Sequence, residues 1–429
     1  MSELPASSPR PPRPSFLALD DAIANLLAKA GASLGAVSVS TFEADGRVLA
    51  EDVVSGLTVP PRDNSSMDGY AVRAAECAGA DALLAVSQRI PAGSVGTRLA
   101  PGTAARIFTG AQLPEGADAV VMQEDTTAIA QAPSHVQSDA GGLGQVRIDI
   151  APAVGQWVRR AGEDVAQGDV VLAKGTRLTP AALGLAASVG CDRLRVSRRP
   201  RVALLSTGDE LVMPGEVEPD AMKPGAIYNS NRFFMRALLH RLGCEVTDLG
   251  IVPDNREATI EALRRAAEGN DLIVTTGGVS VGEEDHIKGA VQALGELQLW
   301  SLAMKPGKPF AYGRIGAAHV TGLPGNPVSS FMTFVLLVRP FLLALQGATH
   351  VTPATVAMRV DADWPRADRR REFLRARRNA QGGLDLFPNQ GSGVLTSAVW
   401  GDGVIDNPAG QSFAKGDTVR FIPFASLLA

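Results

Sequence analysis

The sequence predicts a protein of several domains, one of them doubly wound α/β and the others rich in β-strands. With 429 residues, the chain is long enough for two to four domains of roughly 150 residues each. Apolar strands alternate with helical patterns over residues 198–347, and short β-branched runs separated by Gly, Pro and Asp fill the sequence on both sides. The 45 glycines and 28 prolines exceed the roughly 12 % of average usage, which indicates many turns.

Charge and cysteine content exclude several classes of protein. The 41 Lys and Arg nearly balance the 45 Asp and Glu, and the net charge of −4 is too close to neutral to bind polyanions by bulk charge. We therefore expect no nucleic-acid partner. Cys77, Cys191 and Cys244 form no CxxC pair, so neither a zinc cluster nor a disulfide framework is predicted. Reduced thiols and a cytoplasmic location are expected.

Two segments resemble targeting or membrane signals without meeting their requirements. Residues 1–15 contain five prolines and no apolar run, so they are not a secretory signal, and we expect a disordered tail. The apolar stretch 331–345 is interrupted by Arg339 and Pro340 and is shorter than the ~20 residues of a membrane span. It predicts a buried helix kinked at the proline, and we expect no membrane association.

Residues 16–197 form the predicted N-terminal β-rich region. Apolar residues at helical spacing predict a helix over residues 19–30, which ends at Gly31. The remainder is β in texture except for one helix near residues 180–189. We expect two small β-rich subdomains, one of them inserted in the other at about residues 61–150.

Residues 198–347 form the predicted α/β domain. The runs RVALLSTG, EVTDLGIV, DLIVTTGG and QLWSLAM alternate with the helical patterns NRFFMRALLHRLG, REATIEALRRAAE and HIKGAVQALG. Such alternation indicates a parallel sheet covered on both faces, and ligands bind beyond the carboxyl ends of its strands. Functional residues are therefore expected in the turns after these strands. Residues 348–429 return to short β runs and predict a C-terminal β domain.

The third strand of the α/β domain is followed by TTGGVSVGEED, residues 275–285. Gly277 and Gly278 allow a ligand to approach the backbone closely, and the hydroxyls and amides nearby favour an oxyanion. The acids at 283–285 would repel that anion unless a divalent cation lay between carboxylates and phosphate. A helix cap at Asp285 and a solvated turn before it are the structural alternatives.

The same segment contains GVSVG, which matches the GxSxG nucleophile elbow of serine hydrolases. Ser280 would be the nucleophile in this competing hypothesis. The context argues against it, because an elbow serine follows its strand at once and enters a helix. Here the predicted strand ends at Thr276 and acids follow the motif.

Two lysines flank a predicted turn in MKPGKPF, residues 304–310. Pro306 and Gly307 would occupy the centre of a type II turn, which brings the Cα atoms of Lys305 and Lys308 within ~7 Å. Two ammonium groups so placed, with no acid between them, favour an anion as ligand.

A second turn of this kind occurs in GLPGNPVSS, residues 322–330. Pro324 and Gly325 form the predicted turn, Asn326 the helix cap and Pro327 the first helical residue. The helix amides offer another anion site. For both turns the structural alternative is a well-formed turn without a ligand, and their occurrence at two strand ends of one domain favours binding.

The first two strands of the α/β domain are also followed by acids. Glu210 lies in STGDEL after the first strand, and Asp254 lies in VPDNRE after the second. Asp254 with Glu257 fits a capping box, so its structural interpretation is the stronger one. Glu210 has no such explanation.

Two motifs of the β-rich region are unremarkable in isolation. Asp68 lies in PPRDNSSMDGYAV, residues 60–72, and Arg160 and Asp164 lie in VRRAGEDV, residues 158–165. The first is typical of a turn and the second of a surface ion-pair network.

The Arg-rich stretch RADRRREFLRARR, residues 366–378, has a single aromatic residue, Phe373. Residues 372–377 alternate like an edge strand, and arginines protect sheet edges from pairing. A solvated edge strand is predicted here in preference to a nucleic-acid site.

Together and in this order, these motifs resemble those of the molybdopterin molybdenumtransferase family, bacterial enzymes related to the gephyrin E domain. The motifs are DNSSMDGYAV, RIFTG, PEGADAVVMQED, RRAGED, STGDEL, GGVSVGEED, KPGKPFAYG and GLPGNPVS. The resemblance extends from about residue 18 to the C-terminus. It implies an elongated homodimer of four-domain subunits, in which residues 198–347 are a molybdopterin-binding domain with the helix 19–30 attached.

The activity implied by the resemblance is the final step of molybdenum cofactor biosynthesis. Adenylated molybdopterin and molybdate would react, with Mg²⁺ as cofactor, to give molybdenum cofactor and AMP without a covalent enzyme intermediate. Contact with the molybdopterin adenylyltransferase is also expected. A purely binding role, as in the family's eukaryotic receptor-clustering scaffold, is the alternative, and the intact acids and lysines favour catalysis.

The resemblance also assigns site residues. The catalytic candidates are Asp68, Thr109, Glu210 and Asp285, and the metal candidates are Glu210, Asp254 and Asp285. The substrate-binding candidates are Arg160, Asp164, Gly277, Gly278, Ser280, Lys305, Lys308, Pro324, Pro327 and Ser392. Asp68 and Thr109 would reach the cleft of the partner subunit, and Ser392 would line the same cleft. His286 stands where relatives often have tyrosine, and a core or cap histidine is the favoured interpretation.

Overall fold

The computed structural model describes residues 16–31, 33–79, 81–129, 143–278 and 286–428. Its α-helices are Leu19–Ala28, Pro180–Ser188, Ser230–Arg241, Arg256–Ala267, His286–Leu294, Pro327–Thr333, Arg339–Leu345, Leu395–Trp400 and Phe424–Leu428. The strands form three six-stranded sheets and several two-stranded pairs. This arrangement confirms the predicted fold class of one α/β domain combined with β-rich parts.

Antiparallel pairing brings the two ends of the N-terminal region together. The pairs are Ala36–Ser40 with Arg193–Ser197, Val53–Val54 with Val170–Leu172, and Asn64–Ser65 with Val158–Arg159. The helix Pro180–Ser188 begins where the Thr179 side chain accepts a hydrogen bond from the amide of Ala182. Its buried face packs with Leu49, Leu178 and Val196 in one core.

A six-stranded sheet lies between these paired chain segments in the sequence. Its strands are, in spatial order, Ala119–Met122, Gly69–Val72, Thr103–Ile107, Ala82–Ile90, Gln145–Ile148 and Thr126–Ile129. Tyr70 and Val72 pack in one core and Ala71 in another, as the period of two along a strand requires. The strand Gly69–Val72 is therefore buried on both of its faces, whereas Gln145–Ile148 alternates exposed and buried residues.

The α/β domain is built on a mixed sheet. Its spatial order is Glu245–Val252, Arg201–Thr207, Leu272–Thr276, Ala318–Leu323, Pro309–Ile315 and Glu296–Ser301. The first four strands are parallel, and Pro309–Ile315 runs antiparallel to both of its neighbours. The sequence predicted a parallel sheet and indicated neither Pro309–Ile315 nor Ala318–Leu323, two strands that form a hairpin through Gly316, where φ is +58°.

Helices cover both faces of this sheet. Val202 and Leu204 pack with Leu26 and Met235 on one face, and Leu205 packs with Leu263 on the other. Leu26 belongs to the helix Leu19–Ala28, which is therefore part of the α/β core although it lies about 170 residues before the sheet in sequence.

The most apolar helix is part of the same core. Pro327–Thr333, the π-helical segment Phe334–Val338 and Arg339–Leu345 follow one another without a break. The π-helical turn lies directly before Pro340, which has no amide hydrogen to donate. By length and composition alone this is the one helix among the described residues that could cross a membrane, with mean hydropathy 2.0, and 94 % of its window is buried inside the protein.

The C-terminal sheet includes a short strand from the α/β domain. Its spatial order is Met304–Lys305, Arg371–Arg378, Gly403–Asn407, Thr418–Pro423 and Val356–Arg359, with Leu384–Leu386 also paired to Arg371–Arg378. Lys305 lies opposite Glu372 in a parallel register. This pairing connects the α/β domain to the C-terminal domain.

The Arg-rich stretch is not the solvated edge strand that the sequence predicted. Arg371–Arg378 lies inside the sheet, with neighbours on both sides. Arg371 is paired with Asp406 at 2.5 Å, and Arg375 is 1 % exposed. The alternation was misleading because internal carboxylates and carbonyls bind these guanidinium groups, which therefore serve packing between strands.

A buried histidine lies in the antiparallel hairpin of the α/β domain. His319 is 7 % exposed, and its Nδ1 lies 2.8 Å from the hydroxyl of Tyr312. Burial, with a smaller contribution from Arg314, lowers the pKa of His319 from 6.5 to about 4. The folded protein therefore keeps this imidazole neutral at a pH at which the unfolded chain binds a proton.

We expect acidification to destabilise the fold through this group. Because the folded pKa of His319 is lowered, its contribution is fully present above pH 6.5 and is lost as the pH falls towards 4. Between pH 7 and 4.5, the wild type should lose about 2 kcal/mol more free energy of unfolding than His319→Gln, as measured by urea titration. His350→Gln, at an exposed position, is the control and should keep the wild-type pH dependence. Equal losses in all three proteins would contradict the assignment.

Candidate active site

A cleft of about 840 Å³ lies between the α/β domain and the C-terminal domain. Nine of the predicted residues line it: Glu210, Asp254, Gly277, Gly278, Lys305, Lys308, Pro324, Pro327 and Ser392. They come from six separate segments of the sequence, and the fold brings them together.

The sheet register explains why these segments meet. Thr207 lies opposite Val252, and Thr276 lies opposite Leu323, so the carboxyl ends of the four parallel strands are level. The antiparallel strand begins at this same edge with Pro309. The turn that carries the two lysines therefore faces the turns that carry the acids. Strand order also reverses here, because the second strand in sequence lies on one side of the first and the third lies on the other.

Glycine is required at three positions around the cleft. Gly208, Gly277 and Gly278 have φ of +142°, +89° and +65°, which side chains rarely adopt. A Cβ at Gly208 would lie 2.6 Å from the carboxylate of Glu210, and one at Gly277 would lie 2.7 Å from the carbonyl oxygen of Thr207. These glycines let two strand-end turns pack against each other while their backbones line the cleft.

The acidic turns after the first two strands touch each other. The amide of Asp254 donates a hydrogen bond of 3.2 Å to Oδ1 of Asp209, and Glu210 and Asp254 both line the cleft. The predicted capping box of Asp254 with Glu257 is wrong. Asn255 caps the helix Arg256–Ala267 instead, accepting a hydrogen bond of 2.9 Å from the amide of Ala258. Asp254 is thereby left at the wall of the cleft.

These carboxylates suit a magnesium ion in a substrate complex. Among the described residues, no group of three or more His, Cys, Asp and Glu side chains is arranged to hold a metal. Mg²⁺ commonly binds through one or two carboxylates together with substrate phosphates and water, and Glu210 and Asp254 provide two oxygen ligands of this type. The donor set therefore fits Mg²⁺.

Lys305 is not the acid-free cation that the sequence predicted. Its Nζ lies 3.0 Å from Oε1 of Glu372 and 3.3 Å from Oδ2 of Asp368. The Glu372 side chain is 1 % exposed, and its other oxygen accepts a hydrogen bond of 2.8 Å from the indole of Trp364. The acids are more than 60 residues away in sequence, so the turn motif alone could not show them.

Lys308 has a different environment. No carboxylate lies within 4 Å of its ammonium in the part of the chain that the structure describes, and the amide of Leu302 binds its carbonyl oxygen at 2.7 Å. The peptide bond between Lys305 and Pro306 is cis, and φ at Gly307 is +113°. Both lysines nevertheless line the cleft.

Arg370 is a cleft residue that the sequence pattern did not indicate. Arg370 lines the cleft and forms two hydrogen bonds, of 3.1 and 3.0 Å, with the carboxylate of Asp368. This guanidinium, with backbone and lysine donors, lowers the pKa of Asp368 well below its usual range. Arg370 belongs to the Arg-rich stretch 366–378. The prediction of a solvated edge strand there concealed its position at the cleft.

The loop that contains Ser392 is held in place by a buried arginine. Arg375 donates to the carbonyl oxygen of Gly391 at 3.2 Å and to Oγ of Ser397 at 3.0 Å, and burial lowers the pKa of Arg375 to about 10. The carbonyl oxygen of Ser392 accepts a hydrogen bond of 2.9 Å from the amide of Val328. This loop therefore closes one wall of the cleft from the C-terminal domain.

The turn before the long helix is only partly as predicted. Pro327 is the first residue of the helix Pro327–Thr333, but the Asn326 side chain makes no capping hydrogen bond. Asn231, a second cleft residue that sequence analysis missed, donates a hydrogen bond of 2.7 Å to the carbonyl oxygen of Gly325. An amide from another helix thus orients the turn.

Four predicted residues lie outside this cleft. The lining includes none of Asp68, Thr109, Arg160 and Asp164. Oδ1 of Asp68 accepts hydrogen bonds of 2.7 Å from both the amide and the hydroxyl of Thr109, which lowers the pKa of Asp68. Arg160 pairs with Asp63 at 2.6 Å. Asp68 and Thr109 are therefore brought together, on an exposed surface of the inserted sheet.

Ser280 and Asp285 lie outside the described residues. The strand before them ends at Thr276, and the next helix begins at His286. The described strand ends at Thr276, four residues before Ser280, whereas the serine of a nucleophile elbow follows its strand at once. This position disfavours the serine hydrolase hypothesis. His286 is the first described residue of the helix His286–Leu294, and it is partly buried.

An α/β sheet with a polar cleft beyond the carboxyl ends of its strands, where the strand order reverses, defines an α/β protein with a ligand-binding crevice. Comparison with known proteins gives the family. The MoeA N-terminal region (domains I and II) matches residues 17–190, a probable molybdopterin-binding domain matches 203–344, and the MoeA C-terminal region (domain IV) matches 357–424. The chain belongs to the molybdopterin molybdenumtransferase family, which confirms the resemblance and the predicted enzyme class.

Individual relatives cover nearly the whole chain. The molybdopterin molybdenumtransferase of Haemophilus influenzae is 38 % identical over 421 residues, which are 96 % of this chain and 100 % of that one. The enzyme of a Nostoc species is 34 % identical over 94 % of this chain and 92 % of its own. A molybdopterin biosynthesis MoeA protein from Pyrococcus horikoshii superimposes with a TM-score of 0.80 at 28 % identity, covering 95 % of this chain and 100 % of that one.

The ion pair between Lys305 and Glu372 should contribute to stability. We expect Glu372→Gln to lower the free energy of unfolding by about 1–3 kcal/mol, because a hydrogen-bonded charge pair loses its buried partner. Glu261→Gln removes the pair with Arg264, in which both side chains are more than half exposed, and should change stability by less than about 0.5 kcal/mol. Urea titration measures both, and equal effects would contradict a structural role for Glu372.

Proposed function

We propose that this protein catalyses the final step of molybdenum cofactor biosynthesis. Adenylated molybdopterin and molybdate react in the cleft, with Mg²⁺, to give molybdenum cofactor and AMP. The observation that supports the proposal most strongly is the meeting of cationic turns and acidic turns at one sheet edge, in a family of molybdenumtransferases. A phosphoanhydride and a tetrahedral dianion both require such cations, and a phosphate-bound metal requires such acids.

The residues of the cleft divide the work between two walls. Lys308 and Arg370 offer N–H donors to the oxygens of molybdate or phosphate, and Lys305 is held beside them by its two carboxylates. Glu210 and Asp254, which line the same cleft, would hold Mg²⁺ together with Asp285. The metal would supply positive charge that offsets the negative charge of the leaving phosphate group. The backbone of Gly277 and Gly278 and the turn 324–327 position the substrate between the walls.

The proposal includes a homodimer in which each cleft is completed by the partner subunit. Asp68 and Thr109 hydrogen-bond each other on an exposed surface and lie outside the cleft of their own chain. Such a pair is positioned to contact another molecule. The side chain of Phe42, also in the N-terminal region, is 98 % exposed, which is favourable for burial against a second copy.

The remaining parts of the proposal concern the surroundings of the enzyme. We propose a cytoplasmic location, with reduced Cys77, Cys191 and Cys244, and contact with the molybdopterin adenylyltransferase that supplies the substrate. Neither nucleic acid nor membrane is a partner in this account. The pairing of Arg370 and Arg371 with Asp368 and Asp406 leaves less positive charge for nucleic acid. The burial of the apolar helix leaves no apolar face of that helix for a membrane.

The direct test is a reconstituted reaction. Purified protein, adenylated molybdopterin, molybdate and Mg²⁺ are combined, and AMP release is followed together with formation of active cofactor. Release that depends on both molybdate and Mg²⁺ is the expected result. Binding of the pterin without molybdate-dependent release would favour the scaffold role instead.

Asp285 should be required for this reaction. Asp285→Asn removes a charged metal ligand but keeps the size of the side chain, so we expect AMP release to fall by at least about 100-fold with little change in stability. Glu261→Gln, on a surface helix, is the matched control and should react like the wild type. Turnover of Asp285→Asn at the wild-type rate would remove Asp285 from the metal site.

Mixed dimers test the sharing of the cleft between subunits. Asp68→Ala removes the side chain offered to the partner's cleft, and Lys308→Met removes a cation of the chain's own cleft. The two variants are mixed under conditions that exchange subunits. If Asp68 serves the partner's cleft, half of the dimers are hybrids with one intact cleft, and about a quarter of wild-type AMP release should return. Each variant alone is the control. If the mixture stays as inactive as its components, Asp68 acts within its own chain or not at all.

A further inference from the structure

The N-terminal segment before the first helix lies next to the cleft. Phe16 is the first residue of the described part of the chain, and its ring lies 5.7 Å from Nζ of Lys308 and 4.8 Å from the guanidinium carbon of Arg369. Both distances fall within the range of cation–π contacts, about 6 Å from the ring centroid. One aromatic ring thus contacts two cations, and one of them, Lys308, lines the cleft.

These two cations differ from their neighbours in their charge partners. Lys305 and Arg370 are paired with Glu372 and Asp368. In contrast, no carboxylate lies within 4 Å of Lys308 or Arg369 in the described ranges of the sequence. Lys308 is therefore the lining lysine whose charge is left for a ligand, and the ring of Phe16 is the group that restricts its side chain.

Backbone hydrogen bonds fix the ring and the lysine relative to each other. The amide of Leu17 donates to the carbonyl oxygen of Ser301 at 2.8 Å, and the carbonyl oxygen of Leu17 accepts from Ala303 at 2.8 Å. Leu302, between them, donates to the carbonyl oxygen of Lys308 at 2.7 Å. The segment 301–303 therefore holds residue 17 on one side and residue 308 on the other.

The helix that follows anchors this segment further. Leu19, Ala22 and Leu26 are buried in the core of the α/β domain, and Asp20 pairs with Arg371 of the C-terminal sheet at 2.8 Å. The backbone at Phe16 is thus connected to both domains that form the cleft, so its ring has a defined place at the rim.

We propose that Phe16 is a positioning residue for Lys308 and, through it, sets the affinity of the cleft for the oxyanion substrate. The proposal rests on the function proposed above. An ammonium on a four-carbon stem has many rotamers in water. The π face holds it on one side and leaves its N–H groups on the other side for molybdate or phosphate oxygens. Arg369, which contacts the same ring, adds a second positive charge beside Lys308.

The test measures oxyanion affinity separately from turnover. Phe16→Leu keeps an apolar side chain but removes the π face, and Phe16→Tyr keeps the π face. We expect Phe16→Leu to raise both the KM for molybdate in the AMP-release assay and the Kd for molybdate by calorimetry by about two- to fivefold. Its kcat should stay within about twofold of wild type, and Phe16→Tyr should restore the wild-type KM. Phe233→Leu, at a phenylalanine that is 53 % exposed and has no cation–π contact among the described residues, is the matched control.

A double-mutant cycle identifies the route of the effect. In a Lys308→Met background, Phe16→Leu should cause no further loss of molybdate affinity, because the ring has no ammonium left to position. An equal loss in that background, or a wild-type KM in Phe16→Leu, would overturn the proposal. If the wild type releases no AMP in response to molybdate, the proposed function fails. Calorimetry still tests the present proposal, because it compares the Kd for molybdate of the wild type with that of Phe16→Leu without any turnover.

Discussion

The cleft depends on one short pairing between domains, Met304–Lys305 against Arg371 and Glu372. This two-residue strand leaves the α/β domain, joins the C-terminal sheet and returns at Pro309 to begin the antiparallel strand. The buried carboxylate of Glu372 and the ammonium of Lys305 lock the register at 3.0 Å. Together with the hydrogen bond from the amide of Val328 to the carbonyl oxygen of Ser392, this pairing fixes the C-terminal loop relative to the turns of the α/β sheet.

The same pairing distributes charge in the cleft. Asp368 and Glu372 neutralise Lys305 and Arg370 and hold them in fixed geometry, while Lys308 has an aromatic ring in place of a carboxylate. If every cation in the cleft were paired, a dianion would be attracted weakly. If none were paired, the cations would repel one another. The observed mixture gives an ordered site with positive charge left for a ligand.

Sequence patterns predicted the features that depend only on residues close together in the chain. The glycines at 277 and 278, Pro327 at a helix start and the acids and lysines after strands were all found, because turn chemistry and strand ends are local. Arg370 and the acid partners of Lys305 were missed, because they depend on the pairing of residues 304–305 with 371–372, across more than 60 residues. The helix cap was assigned to Asp254, one residue too early. Asn255 caps the helix, and Asp254 remains at the wall of the cleft.

Diffraction from crystals soaked in molybdate tests the central claim most directly. Molybdenum scatters anomalously, so its position is found without interpreting weak density. We predict a peak in the cleft between the α/β and C-terminal domains, with oxygen atoms within hydrogen-bond distance of Nζ of Lys308, and its loss in Lys308→Met. A well-occupied molybdenum site elsewhere on the molecule, with the cleft empty at saturating molybdate, would contradict the account.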